Sequence, residues 1–81
     1  MNDKELEKYF GKMIRSKRNE MKITQDQLAE LVGISSTYLR GVEHGQHSIT
    51  WKIWLNICVE LQLDINDFIQ KIKLDNEYLL H

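Results

Sequence analysis

Cysteine is nearly absent from this 81-residue sequence, and proline is missing altogether. The single cysteine, Cys58, excludes an intramolecular disulfide and a cysteine-based zinc site. We expect it to be a small core residue, with a reactive thiol as the alternative. No apolar run approaches the roughly 20 residues that span a bilayer, and the N-terminal residues lack the charged-then-apolar layout of a signal peptide. These absences favour a cytoplasmic protein without membrane attachment.

Signals of catalysis or of a bound cofactor are missing as well. The sequence has no glycine-rich phosphate loop, and no histidine has an evident nucleophile or acid partner. His44 and His47 lie close together without a fixed third ligand, so we expect surface histidines rather than a metal site. We therefore predict no enzymatic activity, no cofactor, no metal and no small-molecule ligand.

Charge is nearly balanced in total but uneven along the chain. The net charge of −1 alone argues against a nucleic-acid partner. Residues 8–22 nevertheless hold six basic residues and one acid, whereas residues 51–81 hold three bases and five acids. Such a chain can present one positive face to DNA, and a merely solvated charged helix surface is the alternative.

Apolar periodicity predicts helices throughout and almost no strand, so the expected fold class is all-α. The predicted helices occupy approximately residues 3–21, 24–32, 36–44, 51–62 and 65–72. This length of chain suits one domain, expected over residues 1–73, with residues 74–81 as a tail or a short extra helical turn.

Several residues mark where these helices begin and end. Thr24 followed by Gln27 has the pattern of a capping box. Gly33 and Gly45 are expected to end the second and third helices. Lys22 follows the first helix at a position where positive φ is expected and glycine is absent.

The strongest pattern lies within residues 25–44. Two helices of about eight residues are joined by a turn centred on Gly33, where glycine can take positive φ, and Ala29 allows the helix axes to approach. Apolar residues at helical spacing are expected to pack this pair onto the first helix: Leu28, Val32, Leu39 and Val42. This is the spacing of a helix-turn-helix.

The outward face of the third helix carries the predicted base contacts. Ser36, Thr37 and Arg40 lie near its N-terminal end, the part of a recognition helix that enters the major groove. Arg40 suits guanine O6 and N7, and the hydroxyl groups can bond several bases. Contacts to the backbone of double-stranded DNA are predicted for Gln25, Thr24, Ser35, His44 and Lys17.

Resemblance to a known family is carried by two consecutive runs, ITQDQLAELVGISSTYLRGVEHG and SITWKIWLNICVELQLDINDFI. The first resembles the helix-turn-helix of the lambda-repressor-like, Xre-type family, and the second is similar to that family's fourth and fifth helices. The similarity covers about residues 10–70. It implies a five-helix lambda-repressor-like DNA-binding domain with a short C-terminal extension. The stretch STYLRGVE is especially similar to the controller proteins of restriction–modification systems, and phage and plasmid repressors come close.

The resemblance also implies roles for single residues. Gln25 would hold a phosphate, Ser36, Thr37 and Arg40 would face bases, and Tyr38 resembles a tyrosine that touches the DNA backbone. Arg18 would pair with Glu43 and so join the first helix to the third.

The sequence departs from the family's pattern at three places. Lys22 replaces a usual glycine, at a cost of about 1 kcal/mol of backbone strain. The loop over residues 45–48 lacks an arginine often found there. Gly41 has no side chain at a position that often carries a base-reading residue.

The fourth helix is apolar over too wide an arc for a single core. Trp54, Ile57, Cys58 and Leu61 form one stripe, and a second, adjacent stripe suggests another buried surface. The predicted dimer interface comprises Trp51, Leu55, Val59, Ile65 and Ile69. A two-fold dimer would place two recognition helices about 34 Å apart on a palindromic site. The alternative is that the C-terminal tail covers the second stripe.

These patterns predict a sequence-specific, double-stranded DNA-binding transcription regulator that acts as a homodimer on a palindromic operator and controls its own expression. One alternative is the antitoxin of a two-gene system, which the acidic C-terminal segment keeps open. Another is a protein-interaction module that no longer binds DNA, which the net charge favours and Arg40 opposes.

Overall fold

The chain folds into helices joined by short turns. The computed structural model describes residues 2–75, and for residues 71, 72, 74 and 75 it describes the backbone only. Within this range there are five helices: α1 (Asp3–Glu20), α2 (Gln25–Val32), α3 (Ser36–Glu43), α4 (Trp51–Leu61) and α5 (Ile65–Asp75). The predicted all-α, five-helix architecture is confirmed. Helix α5 runs past the domain boundary expected after residue 73, and the rest of the expected tail, residues 76–81, lies outside the described residues.

Side-chain caps fix the starts of the first four helices. Asn2, Thr24, Ser35 and Thr50 each accept a hydrogen bond from the backbone N–H three residues further on. At Thr24 the capping box is complete, because the Thr24 N–H also donates to Gln27 Oε1 at 2.9 Å. These bonds satisfy amide groups that a helix leaves unpaired in its first turn.

The C-terminal ends of these four helices share one backbone conformation. Each is followed by a residue with positive φ, and paired N–H groups fold back onto the last carbonyls of the helix. The helix ends at Gly33 (φ 76°) and Gly45 (φ 73°) were predicted because these residues are glycines. Positive φ at Lys22 (φ 60°) was predicted from its position after α1, although lysine disfavours this conformation. Gln62 (φ 55°) was not predicted, since glutamine carries no signal for this conformation.

The apolar core of the described residues lies between α1, α2, α3 and α4. Its fully buried side chains are Ile14, Leu28, Leu39, Ile57 and Leu61. Burial of each contributes roughly 1.5–3 kcal/mol to the free energy of unfolding. An aromatic group docks α5 beside this core: the Phe10 ring lies 4.6 Å from Trp54 and 4.8 Å from Phe68, measured between ring centroids.

Helix α1 crosses α3 closely at Gly11. A Cβ atom at this position would lie 2.5 Å from the carbonyl oxygens of both Val42 and Glu43. Only glycine lets the two backbones approach this far. The end of α3 is therefore held against α1, which fixes the orientation of the helix-turn-helix on its support.

Candidate nucleic-acid interface

Helices α2 and α3 form the helix-turn-helix that the sequence predicted. The turn consists of residues 33–35, in which the N–H groups of Gly33 and Ile34 donate to carbonyls at the end of α2. Leu39 and Val42 bury one side of α3 in the core. Thr37 and Arg40 are exposed on the other side, so two of the three predicted base contacts face solvent.

A buried ion pair anchors α3 from behind. Arg18 Nε lies 2.8 Å from Glu43 Oε2, and Arg18 Nη2 lies 3.0 Å from Glu43 Oε1. This is the Arg18–Glu43 pair that the resemblance implied. Glu43 is only 2% exposed and Arg18 only 9%, and Arg18 Nη1 also donates to the Ile23 carbonyl at 3.0 Å. The pair thus ties α3 to α1 and to the turn before α2.

Gln25 belongs to the same network. Its Nε2 donates to Glu43 Oε1 at 3.1 Å, and its side chain is half-buried at the first position of α2. The amide group is therefore held in place by Glu43. Its remaining N–H and its carbonyl oxygen stay available at the start of the helix, where a phosphate was predicted to bind.

Ser36 is the third predicted base contact, and its hydroxyl has a partner that the sequence did not indicate. Ser36 Oγ donates to Asp26 Oδ1 at 2.5 Å. The bond joins the first turn of α3 to the first turn of α2. Asp26 therefore belongs to the candidate interface, although nothing in the spacing of residues 26 and 36 pointed to it.

The loop after α3 folds back over this helix. The His47 ring stacks on Tyr38 with centroids 5.6 Å apart, and it occupies the space in which a Gly41 side chain would lie. Tyr38 donates from its hydroxyl to the Ser48 carbonyl at 2.5 Å, and the Ser48 hydroxyl donates to Glu7. The imidazole of His47 thus covers the Gly41 position, where the sequence indicated only that a base-reading side chain is lacking.

The remaining predicted backbone contacts divide into two groups. Thr24, Ser35 and His44 are exposed at helix ends within the helix-turn-helix, and the hydroxyls of Thr24 and Ser35 are each engaged in a cap. Lys17 stands apart. It lies 3.6 Å from Glu20 and lines a groove formed by α1, the turn between α4 and α5, and α5, without any residue of α2 or α3.

The second apolar stripe of α4 is exposed. Trp51 is 74% and Val59 72% exposed, and Leu55 and Ile65 are each 39% exposed. Ile69 is half-buried. The first stripe is instead turned inward, with Ile57, Cys58 and Leu61 in the core. Burial raises the pKa of the Cys58 thiol, which makes it less nucleophilic at neutral pH.

Other kinds of site find no support in the part of the chain that the structure describes. Among its described residues, no three His, Cys, Asp or Glu side chains form a group that could hold a metal ion. None of the helices within residues 2–75 combines the length and the apolar character needed to cross a membrane.

A helix-turn-helix held by a buried network, with polar side chains facing outward from its second helix, defines a DNA-binding regulator of transcription. The chain belongs to the helix-turn-helix family, whose sequence profile matches residues 14–68. The Xre-type resemblance seen in the sequence is thereby confirmed.

Individual relatives are control proteins. The ImmF control region 10 kDa protein of Bacillus phage phi105 is 34% identical over 59 residues, which are 73% of this chain and 66% of the relative, just under two thirds. Control protein C.SmaI of Serratia marcescens is 26% identical over 73 residues, covering 90% of this chain and 87% of the relative. The crystal structure of the restriction-modification controller protein C.AhdI from Aeromonas hydrophila superposes with a TM-score of 0.68 at 29% identity, covering 72% of this chain and 88% of that one.

Proposed function

We propose that this protein regulates transcription by placing α3 in the major groove of double-stranded DNA, as a homodimer on a palindromic operator that includes its own promoter. It acts in the cytoplasm by binding alone, without catalysis. The observation that carries the proposal is the exposure of Thr37 and Arg40 on a helix whose opposite side is anchored by the buried Glu43. A rigid support with free polar side chains is what base reading requires.

Each contact has a distinct chemical role. Arg40 donates two hydrogen bonds to guanine O6 and N7, and the Thr37 methyl and hydroxyl meet an adjacent base. Gln25 and the exposed ends of α2 and α3 hold phosphates and set the register. Tyr38 reaches a phosphate only by exchanging its bond to the Ser48 carbonyl for one to a phosphate oxygen.

Dimerisation is proposed from the exposed stripe. Trp51, Leu55 and Val59 recur every four residues and so lie on one side of α4, and Ile65 at the start of α5 is exposed as well. Large apolar side chains in one contiguous group are typical of an interface between proteins. A second copy related by a two-fold axis would cover the same residues on both chains. The names of the relatives, which are control proteins, support the regulatory part of the proposal.

Mobility shift with DNA from the protein's own upstream region tests the DNA-binding part. We expect retardation that weakens between about 50 and 200 mM salt, because phosphate contacts release counterions. Arg40→Ala should abolish the preference for this DNA over unrelated DNA. Arg40→Lys is the matched control, since it retains the charge but cannot form the bidentate hydrogen bonds of arginine. It should therefore keep non-specific binding only. Equal binding of all three proteins to both DNAs would overturn the proposal.

Sedimentation tests the dimer separately. The unmodified protein should sediment as a dimer at micromolar concentration, and Val59→Asp should convert it to a monomer because a charge in the interface would be desolvated. Leu31→Asp is the control, since Leu31 is 55% exposed on α2 and lies outside the stripe. A monomeric unmodified protein, or equal effects of the two substitutions, would refute this surface as the interface.

A further inference from the structure

The direction of the hydrogen bond between Ser36 and Asp26 has a consequence for which bases Ser36 can read. An ionised carboxylate has no proton and can only accept. The proton in this 2.5 Å bond therefore belongs to Ser36 Oγ, and the length is that of a bond between a hydroxyl and a charged oxygen. Because a serine hydroxyl has one proton, the oxygen facing DNA can only accept.

The position of the pair gives this restriction a place on the recognition surface. Ser36 is the first residue of α3 and lies one turn before Arg40, hence on the same side of the helix. Asp26 is exposed at the start of α2. At one end of the proposed recognition surface, Ser36 and Asp26 can therefore only accept hydrogen bonds from DNA. Arg40, on the same surface, can only donate them.

We infer that Asp26 is a specificity-determining residue, which makes Ser36 select a base with an exocyclic amino group. This inference rests on the proposed DNA-binding function. In the major groove, adenine N6 and cytosine N4 are donors, whereas guanine O6 and N7 and thymine O4 are acceptors. The Ser36–Asp26 pair accepts from the first two bases. It is repelled by the acceptor atoms of guanine and thymine, and the negative charge of Asp26 strengthens this rejection.

Asp26 acts here through Ser36 and through its own charge, whereas a serine without this partner would be indifferent. A free hydroxyl rotates and can either donate or accept, so it discriminates poorly between bases. Removal of the Asp26 carboxylate should consequently relax specificity at one position of the site while leaving the contacts of Thr37 and Arg40 in place.

Selection of binding sites from a library of random-sequence DNA duplexes tests the inference with the full-length protein. The position at which Ser36→Ala loses base preference is defined as the Ser36 position. There the unmodified protein should enrich adenine or cytosine on one strand. Asp26→Ala should raise the frequency of guanine or thymine at this position by about fivefold, which corresponds to the free energy of one net hydrogen bond. Preferences elsewhere in the site should stay unchanged.

Glu30→Gln is the matched control for loss of charge. Glu30 lies one turn after Asp26 on α2 and is also exposed, so this variant removes a negative charge without releasing the Ser36 hydroxyl. It should tighten or preserve binding to all sequences equally. Circular dichroism should give the same helix content for every variant.

The possible results separate this inference from the proposal beneath it. Enrichment of a site by the unmodified protein, with an unaltered amino preference in Asp26→Ala, would overturn the role of Asp26 alone. The role of Asp26 would also be overturned if the unmodified protein selected guanine or thymine at the Ser36 position. The same holds if no position of the selected site depended on Ser36. Failure of the unmodified protein to enrich any sequence would instead overturn the proposed function.

Discussion

Replacement of Glu43 by glutamine exchanges one oxygen for an NH₂ group without changing the size of the side chain. The carboxylate accepts two hydrogen bonds from Arg18, at 2.8 and 3.0 Å, and one from Gln25 at 3.1 Å. After Glu43→Gln, the new NH₂ group faces an Arg18 donor, and the buried guanidinium retains its bond to the Ile23 carbonyl. One charge is left without its partner at a site where Arg18 is only 9% exposed.

The size of the effect follows from this burial. Breaking a buried ion pair by removing one partner costs about 3–5 kcal/mol. Glutamine retains one acceptor oxygen, so we expect a loss near the lower limit, about 3 kcal/mol. A chain of this length has a free energy of unfolding of roughly 4–12 kcal/mol. With a urea dependence of about 1–1.5 kcal/mol per molar, the unfolding midpoint should fall by about 2 M or more.

Urea unfolding followed by tryptophan fluorescence measures this loss, because Trp54 packs on Phe10 and Phe68 in the folded protein. Glu20→Gln is the matched control. It makes the same chemical change in an ion pair with Lys17 whose carboxylate side chain is 69% exposed, and such pairs contribute little. It should cost less than about 0.5 kcal/mol.

A double variant separates the charge from the packing. In Arg18→Met, Glu43→Leu both charges are replaced by apolar groups, which is often neutral for stability. We expect it to recover most of the loss caused by Glu43→Gln. A loss below 1 kcal/mol in Glu43→Gln, or a double variant less stable than the single one, would refute the reasoning that an unpartnered buried charge is responsible.

Three further outcomes are expected. Lys22→Gly should raise the free energy of unfolding by about 0.5–1 kcal/mol in urea titration, because φ is 60° there, and Lys22→Ala should give no gain. Gly11→Ala should destabilise the protein in the same assay despite better helix propensity, since its Cβ would lie 2.5 Å from two α3 carbonyl oxygens; a gain would refute the close crossing. Because burial raises the pKa of Cys58 in the folded state, stability should be retained below about pH 8.5 and fall above it, where the unfolded thiol ionises, whereas Cys58→Ala should lose this pH dependence.

Local features of the fold were predictable because their causes lie within a few residues. A hydroxyl before an apolar run marks a cap, and the spacing of Thr24 and Gln27 is enough to define the capping box. Lys22 was expected to take positive φ from its position after α1, even though its residue type opposes it. Gln62 takes the same conformation without a comparable signal, since nothing nearby distinguishes it from a helical glutamine.

The site was predictable only in part, because its geometry depends on contacts between elements. The exposure of Thr37 and Arg40 follows from helical periodicity alone. The Arg18–Glu43 pair connects residues 25 apart and was expected only through the family resemblance. The partners of Ser36 and Gly41, which are Asp26 and His47, depend on how the turn and the following loop fold back, and periodicity carries no information about that.

Stability and the proposed recognition lie on opposite sides of α3, so we expect substitutions on the exposed side to alter specificity without loss of fold. The buried side is fixed by the Gly11 crossing and by Glu43, which set the position of the entire helix. We expect changes there to move every proposed DNA contact together and to weaken binding to all sequences. On the exposed side, Arg40 has no part in the core, and the exposed Asp26 is joined to α3 by the hydroxyl of Ser36. Changes on that side should therefore alter which base is chosen at a single position while α3 remains anchored.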